Sequence, residues 1–221
     1  MLRELRACYG LLFLLLLLCG LAYPFACLGL GQVFFYANAQ GSLLGDKGKL
    51  LGSGLIGQNF ERADYFHGRP SSAGNSGYDA AQSGASNLGP TNGKLRGTVA
   101  KRIATWRETG IQSPIPPDLV TGSSSGLDPE ISPASAYFQA ETIAAARNIK
   151  IRRINDLIES LTTPRDLGFL GEPRINVLAL NRALNDLAAD IAAPDAAEPV
   201  STVTQPNPAT NSSIAPTYGK P

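Results

Sequence analysis

Residues 66–92 read FHGRPSSAGNSGYDAAQSGASNLGPTN, and the rest of the chain is interpreted around this stretch. It is too polar for a core element, and its glycines and prolines recur at intervals that favour a series of turns. Asn and Ser side chains in such turns bond to nearby backbone and hold a long loop in one shape. Since long ordered loops tend to be functional, the stretch is either a functional loop or a surface loop without a task.

An uncharged run precedes this loop at residues 7–31 and reads ACYGLLFLLLLLCGLAYPFACLGLG. A helix needs about 20 apolar residues to cross the bilayer, so the run is long enough. Arg3 and Arg6 precede it, and no charge follows until Asp46. The positive-inside rule therefore predicts residues 1–6 in the cytoplasm, a transmembrane helix over residues 7–31, and the remaining chain outside.

Two features of the apolar run need separate interpretation. Pro24 lies inside it and is expected to bend the helix or to mark its outer end. Ala37-Asn38-Ala39 offers an A-x-A pattern for signal peptidase, but it lies far beyond a secretory apolar region of about 7–15 residues. A membrane anchor is therefore favoured over a cleaved signal peptide, which would instead release an extracytoplasmic binding protein.

Composition limits the kinds of site that the chain can carry. The 19 Lys and Arg residues balance the 18 Asp and Glu residues, so no basic surplus favours nucleic acid. Cys8, Cys19 and Cys27 all lie in the apolar run, which leaves the rest of the chain without cysteine. His67 is the single histidine, so no metal site is predicted.

The pattern of short apolar runs and helical periodicity predicts an α+β fold. Residues 42–44 and 50–56 flank a turn at residues 45–48 and predict a β-hairpin, and residues 118–121 predict another short strand. About four helices are expected after residue 90. The first has a cap at Thr91 or Asn92 and an apolar face of Leu95, Val99, Ile103 and Trp106, and the second begins at Ser132-Pro133. The third has an apolar face of Ile151, Ile154, Leu157, Ile158 and Leu161. The fourth has a narrow apolar seam of Val177, Leu180, Leu184, Leu187 and Ile191.

The domain boundaries follow from these elements. Residues 32–193 are expected to form one extracytoplasmic domain with a small sheet, and the last helical seam is expected to pack in its core rather than on a helix of another chain. Residues 194–221 consist mainly of Pro, Ala, Thr, Ser and Asn and cannot bury enough apolar surface to fold, so a disordered tail is predicted.

Several motifs together resemble one known family. They are LAYP at residues 21–24, GRPSS at 68–72, Tyr78, QSGASNLGPTN at 82–92, DLVTGSSSGLDPEISP at 118–133 and LGFLGEPRINVLALNRAL at 167–184. This set resembles the C subunit of bacterial Kdp potassium-transporting ATPases, the KdpC family, over about residues 1–190. Two positions depart from the family pattern: Ala85 stands where glycine is usual, and Glu130 where histidine is expected.

The resemblance implies a non-catalytic, single-pass subunit of an ATP-driven, high-affinity potassium uptake complex in the bacterial inner membrane. Its implied partners are a channel-like potassium-binding subunit, a P-type ATPase subunit and a very small membrane peptide. No cofactor is expected on this chain, because ATP, Mg²⁺ and potassium belong to the complex. The sequence contains no P-loop and no D-K-T-G motif, which places the pumping chemistry on another chain.

The family is also described as a catalytic chaperone that raises the ATP affinity of the ATPase subunit. Ser83, Gly84, Ser86 and Asn87 are the candidate nucleotide-binding residues, since this segment is similar to the phosphate-contacting S-G-G-Q loop of transporter ATPases. The predicted topology opposes direct contact, because the loop would face away from cytoplasmic ATP.

The candidate partner-contact residues are Arg69, Tyr78, Asn87 and Asp128. Arg69 and Asp128 each lie beside a proline in a rigid turn, where they either face a partner, attract cations near a pore mouth or form an internal ion pair.

A rival function comes from Gly122-Ser-Ser124-Ser-Gly126, which matches the G-x-S-x-G nucleophile elbow of α/β-hydrolases. A membrane-anchored serine hydrolase would use Ser124 as its nucleophile. That fold places its histidine after the serine, whereas His67 precedes Ser124, so the hydrolase is the less favoured hypothesis.

Overall fold

The computed structural model of the protein describes residues 1–46 and 49–192. Its helices are α1 (Leu2–Leu17), α2 (Tyr23–Phe34), α3 (Tyr36–Ala39), α4 (Gly93–Glu108), α5 (Pro133–Arg147), α6 (Ile151–Leu161) and α7 (Val177–Ala192). Its strands are β1 (Leu43–Asp46), β2 (Lys49–Ser53), β3 (Glu130–Ile131) and β4 (Ile175–Asn176). This mixture confirms the predicted α+β class, while the predicted tail at residues 194–221 lies outside the described residues.

The N-terminal apolar run forms one long helix. α1, a π-helical turn at Leu18–Ala22 and α2 together make 33 consecutive helical residues. Within the described ranges, this is the one helix long and apolar enough to cross a membrane. Pro24 does not end it, because the helix continues to Phe34; the irregularity is instead the π-helical turn just before the proline. A π-turn commonly interrupts a helix in this way, and Pro24 lacks the N–H that a regular turn would use.

The predicted hairpin is present after the short helix α3, but its second strand ends at Ser53, so residues 54–56 of the predicted strand form a turn instead. β1 and β2 pair antiparallel, with Leu43 opposite Ser53 and Asp46 opposite Lys49. A bulge between Leu44 and Gly45 interrupts the register. The tip residues 47 and 48 of the expected turn lie outside the described part of the chain.

The hydrophobic core lies among α5, α6, α7 and the β3–β4 pair. Its fully buried apolar side chains include Phe66, Ile143, Ile154, Ile158, Ile175, Leu180 and Leu184. Val177, Leu180 and Leu184 of the α7 seam therefore pack within the chain's own core, as expected, whereas Ile191 at the end of the seam is 46% exposed. α4 is peripheral: it buries no residue completely, and Trp106 contacts Phe138 edge-on at 5.6 Å between ring centroids.

The strand predicted at residues 118–121 was wrong. Pro117–Leu119 form a 3₁₀ turn, because Pro117 supplies the fixed φ of a helical first turn and no N–H for a ladder. Asp118 then accepts a hydrogen bond from Ser132 N at 2.8 Å and a short one from Ser135 Oγ, at the start of α5. Ser132 itself caps α5 by accepting from Ser135 N, which confirms the predicted helix start.

Candidate functional site

Two buried side-chain amides hold the start of the polar loop, residues 66–92. Asn181 on α7 accepts from Phe66 N at 2.8 Å and donates to Phe66 O at 2.9 Å. Gln139 on α5 accepts from His67 N at 2.8 Å and donates to His67 O at 3.2 Å. Each amide thus satisfies both backbone groups of one loop residue, as a neighbouring strand would.

A hydroxyl at the centre of the loop closes its first turn. Ser71 Oγ donates to Gly126 O at 2.5 Å and accepts from Ala73 N at 3.1 Å and Tyr78 N at 2.7 Å. The Tyr78 hydroxyl donates to Arg69 O at 2.5 Å, and Tyr78 has a φ of 57°. Burial, with a smaller contribution from the Asp128 charge, raises the pKa of the Tyr78 phenol. The predicted partner-contact residue Tyr78 therefore fixes the loop internally.

The second half of the loop is held by the segment before β3. Gly84 N donates to Ser125 O at 2.8 Å, and Ser83 Oγ donates to the same carbonyl at 2.9 Å. Ser123 N donates to Pro70 O at 3.4 Å. A phosphate cradle needs free backbone N–H groups aimed at the ligand, and the N–H of Gly84 is already used. The sequence suggested Ser83 and Gly84 as candidate nucleotide-binding residues. In the structure, both instead bond to Ser125 O and hold the loop.

The other two nucleotide candidates lie on the surface. Ser86 and Asn87 are exposed, and neither makes a side-chain hydrogen bond to another described residue. Asn87 adopts a φ of 51°, which suits an Asn in a tight turn. The structure therefore separates Ser83 and Gly84, which are internally bonded, from Ser86 and Asn87, which remain free to meet a partner.

Arg69 and Asp128 form an internal ion pair. Arg69 Nη1 lies 3.0 Å from Asp128 Oδ2, and both side chains are 28% exposed. Asp128 Oδ1 also accepts from Glu130 N at 3.0 Å, while Arg69 Nε is buried without a hydrogen-bond partner among the described residues. The pair thus resolves one of the alternatives that the sequence left open, and it still presents a partly exposed edge.

That edge borders an open cleft of about 590 Å³. Its apolar surface comes from Pro114, Ile115, Pro116, Pro117, Ile131 and Ala134. Its charged side chains are the guanidinium groups of Arg69 and Arg174 and the carboxylates of Asp118, Asp128, Glu130 and Glu172. Carboxylates outnumber guanidinium groups by four to two, so the cleft favours cationic groups over anionic ones.

Glu130, which departs from the family pattern, takes part in this cleft. Arg174 Nε lies 3.3 Å from Glu130 Oε1, and Arg174 Nη1 lies 3.6 Å from Asp166 Oδ2. β3 and β4 bring these residues together, because Glu130 pairs with Asn176 and Ile131 with Ile175. The glutamate therefore supplies an ion pair to Arg174 at this position.

Ser124 lies in a context unlike a nucleophile elbow. It is exposed, in a series of bends that follows a 3₁₀ turn rather than a strand, and no helix begins directly after it. His67 Nδ1 donates to Phe60 O at 2.6 Å, and its ring packs edge-on against Trp106. Within the described ranges, no hydrogen bond joins Ser124 to His67.

Replacing Ser124 with alanine is expected to change the free energy of unfolding by less than about 0.5 kcal/mol, as is usual for an exposed side chain. The activity of the chain in cells is expected to be unchanged. Complementation of a strain that lacks the chain and thermal unfolding of the purified chain measure the two effects. Complete loss of function with an intact fold would instead favour the serine hydrolase.

Lowering the pH is expected to destabilise the protein through His67. Burial lowers the pKa of His67 below its ordinary 6.5, although the hydrogen bond to Phe60 O partly opposes this. The unfolded chain therefore binds the proton more readily, so the stability contributed by neutral His67 is complete above that ordinary pKa and is lost as the pH falls below it. Unfolding midpoints at about pH 7.5 and about pH 5 are compared for wild type and His67→Gln. An equal loss in both proteins would exclude His67 as the cause.

Sequence reasoning missed Gln139 and Asn181, which anchor the loop. The available signal was a polar residue on an otherwise apolar helix face: Asn181 follows Leu180 in the α7 seam, and Gln139 lies between Phe138 and Ala140. Such residues are buried only when their hydrogen bonds are satisfied.

No group of three or more His, Cys, Asp or Glu side chains suited to a metal ion occurs in residues 1–46 and 49–192. In the cleft, the carboxylates of Asp128 and Glu130 are paired with Arg69 and Arg174.

Comparisons with known proteins identify the family to which the chain is similar. The family model described as KdpC, the c chain of K⁺-transporting ATPases, matches residues 5–186. The chain is 48% identical over 190 residues to a potassium-transporting ATPase KdpC subunit of Gemmatimonas aurantiaca, an alignment covering 86% of this chain and 96% of the relative. It is 50% identical over 188 residues to the protein of the same name from Mycobacterium tuberculosis, covering 84% and 99% of the two chains.

A third relative gives the same result. The potassium-transporting ATPase KdpC subunit of Rhodospirillum rubrum is 52% identical over 188 residues, covering 84% of this chain and 97% of the relative. The residues matched by the family model include most of the apolar helix, the whole polar loop and α7 as far as residue 186. The chain therefore belongs to the KdpC family, the c chain of K⁺-transporting ATPases.

Proposed function

We propose that this subunit is non-catalytic: its long helix docks among membrane helices of other subunits, and its folded domain braces or caps the potassium-binding subunit on the outer side. One observation carries the proposal. The rest of the chain buries no residue in the most apolar part of the long helix, so every face there is available to lipid or to other chains. Helix–helix packing in the membrane must therefore come from helices of other chains.

The proposed orientation follows from charge. Arg3 and Arg6 lie at the N-terminal end of the helix, and the positive-inside rule assigns that end to the cytoplasm. The polar loop and the acidic cleft then lie outside, on the side from which potassium enters during uptake. A surplus of carboxylates in the cleft favours a basic segment of the partner and raises the local concentration of cations.

The proposed partners are a channel-like potassium-binding subunit, a P-type ATPase subunit and a very small membrane peptide. ATP, Mg²⁺ and potassium would bind on those chains. Ser83 and Gly84 already bond to Ser125 O, and in this orientation the loop lies on the outer side of the membrane, away from cytoplasmic ATP. An effect of this chain on ATP affinity would therefore be transmitted through contacts between subunits.

Co-purification tests the assembly. A C-terminal tag is added, membranes are extracted in mild detergent, and co-eluting chains are identified by mass spectrometry. Stoichiometric recovery of a channel-like chain and a P-type ATPase chain is the expected result, and Ser124→Ala serves as a matched surface control. Elution of the chain alone under several gentle conditions would contradict the proposal.

Thiol labelling tests the orientation. Gly89 lies in the exposed loop with no atom within 4 Å of an added Cβ, so Gly89→Cys is expected to fold normally once Cys8, Cys19 and Cys27 are replaced. A membrane-impermeant thiol reagent is expected to label this variant in cells whose inner membrane is intact. Labelling only after lysis would place the domain in the cytoplasm and overturn the orientation.

A further inference from the structure

The β1–β2 hairpin exposes large apolar side chains. Leu43 in β1 is 56% exposed and Leu50 in β2 is 62% exposed. Leu55, in the turn that follows β2, is 61% exposed, and Leu51 and Ile56 are also exposed. Leu50 and Leu51 point to opposite faces of β2, since side chains alternate along a strand. Leu51 borders a cleft that it shares with Phe60 and Leu178 of the domain, whereas the face that carries Leu50 is uncovered. An uncovered apolar face is unusual for a surface in contact with water.

Hydrogen bonds hold the hairpin base at the end of the long helix. Ser42 N donates to Ala37 O in α3 at 3.0 Å, and Gly54 N donates to Ser42 O at 3.0 Å. Ser53 Oγ donates to Gly41 O at 2.7 Å. α3 follows α2 after the single residue Phe35, so the apolar surface of the helix continues into that of the hairpin.

Aromatic residues mark the level of this junction. Tyr9 lies towards one end of the helix, and Phe34, Phe35 and Tyr36 lie at the other, all of them exposed; Phe13, Tyr23 and Phe25 lie between them. Tyr9 and Phe34 are separated by about 38 Å at about 1.5 Å per residue. A bilayer with its headgroup regions is about 40–45 Å thick, and aromatic residues are enriched at both interfaces. A spanning helix with Phe34 at its outer end would place the hairpin base at headgroup level.

We propose that the β1–β2 hairpin lies in the outer interfacial layer of the bilayer, with Leu43, Leu50 and Leu55 contacting the boundary between headgroups and acyl chains. The ligand is a lipid surface. The two outer edges of a two-stranded hairpin carry unpaired backbone N–H and C=O groups. These groups would have no hydrogen-bond partners in the hydrocarbon core of the bilayer. The hairpin is thus confined to the interface, where water and headgroups can bond to those edges.

This contact would fix the domain close to the membrane surface. Asn176 Nδ2 donates to Gly54 O at 2.7 Å and so links the hairpin to β4, which belongs to the same sheet as the cleft residue Glu130. A second attachment beside the transmembrane helix restricts tilting of the domain on its single anchor.

Spin-label accessibility tests the proposal. Native cysteines are replaced, and a nitroxide is attached at Leu50→Cys or, in a second variant, at Leu55→Cys; both side chains are exposed, so the fold is preserved. Glu159→Cys on the exposed side of α6 provides the aqueous reference. The full chain is measured in the complex with which it co-purifies, reconstituted in phosphatidylcholine–phosphatidylglycerol nanodiscs.

At both positions, the nitroxide is expected to collide more often with oxygen than with a water-soluble nickel chelate. Its accessibility to the nickel chelate is expected to be at least about five-fold below that of the nitroxide at Glu159→Cys. High nickel accessibility would place the hairpin in water and overturn the proposal. Low accessibility to both reagents would place it against a partner chain and overturn it equally. Neither result affects the co-purification test of the proposed function.

Discussion

Replacing Asn181 with alanine is expected to lower the free energy of unfolding by about 3 kcal/mol or more. The substitution leaves both Phe66 N–H and Phe66 C=O without partners in a buried setting, because Asn181 bonds both groups and is itself almost fully buried. Each unsatisfied buried group costs about 1–3 kcal/mol. Chemical denaturation of the purified full chain in detergent, followed by near-ultraviolet circular dichroism, measures the change.

Asn185→Ala is the matched control for this substitution. Asn185 lies one turn further along α7, is exposed, and bonds only to Arg147 Nη1 among the described contacts, at 2.9 Å. Its replacement is expected to cost less than about 1 kcal/mol. Equal destabilisation by the two variants would show that the buried amide does not hold the polar loop.

Replacing Gly126 with alanine is also expected to destabilise the protein, by about 2–4 kcal/mol. Gly126 has a φ of 67°, and an added Cβ would lie 2.7 Å from Gly84 O and 2.8 Å from both Cβ and N of Ala73. Positive φ costs alanine about 1 kcal/mol, and overpacking against backbone adds about 1–3 kcal/mol. The loop would separate from the segment before β3, so co-purification with partner chains is expected to fall as well.

Gly110→Ala separates the two causes. Gly110 has a φ of 86°, but no atom lies within 4 Å of an added Cβ. Only the backbone strain applies there, so a loss of about 1 kcal/mol is expected. If Gly126→Ala lost no more than Gly110→Ala, close packing between the loop and its neighbouring segment would not contribute to stability.

The regular elements were accessible from the sequence because their signals are local. The seam of Val177, Leu180 and Leu184 predicted α7, and Ser132-Pro133 predicted the start of α5. The strand expected at residues 118–121 failed because its apolar residues follow two prolines, and the backbone there turns instead of extending.

The loop contacts were harder to predict because they join distant residues. Arg69 and Asp128 lie 59 positions apart, and Phe66 and Asn181 lie 115 apart. The composition of residues 66–92 predicted ordered turns, which the bonds of Ser71 confirm. No local pattern, however, indicates which helix supplies the amide that bonds a given loop residue.

The π-helical turn at Leu18–Ala22 changes the angular register of the membrane helix. Each residue of an α-helix advances by about 100° around the axis, so one extra residue in a turn rotates everything beyond it by roughly a quarter turn. A stripe of side chains that begins on one flank of α1 therefore emerges on another flank in α2. One neighbouring helix can therefore pack on the N-terminal half of this helix and a different one on its C-terminal half.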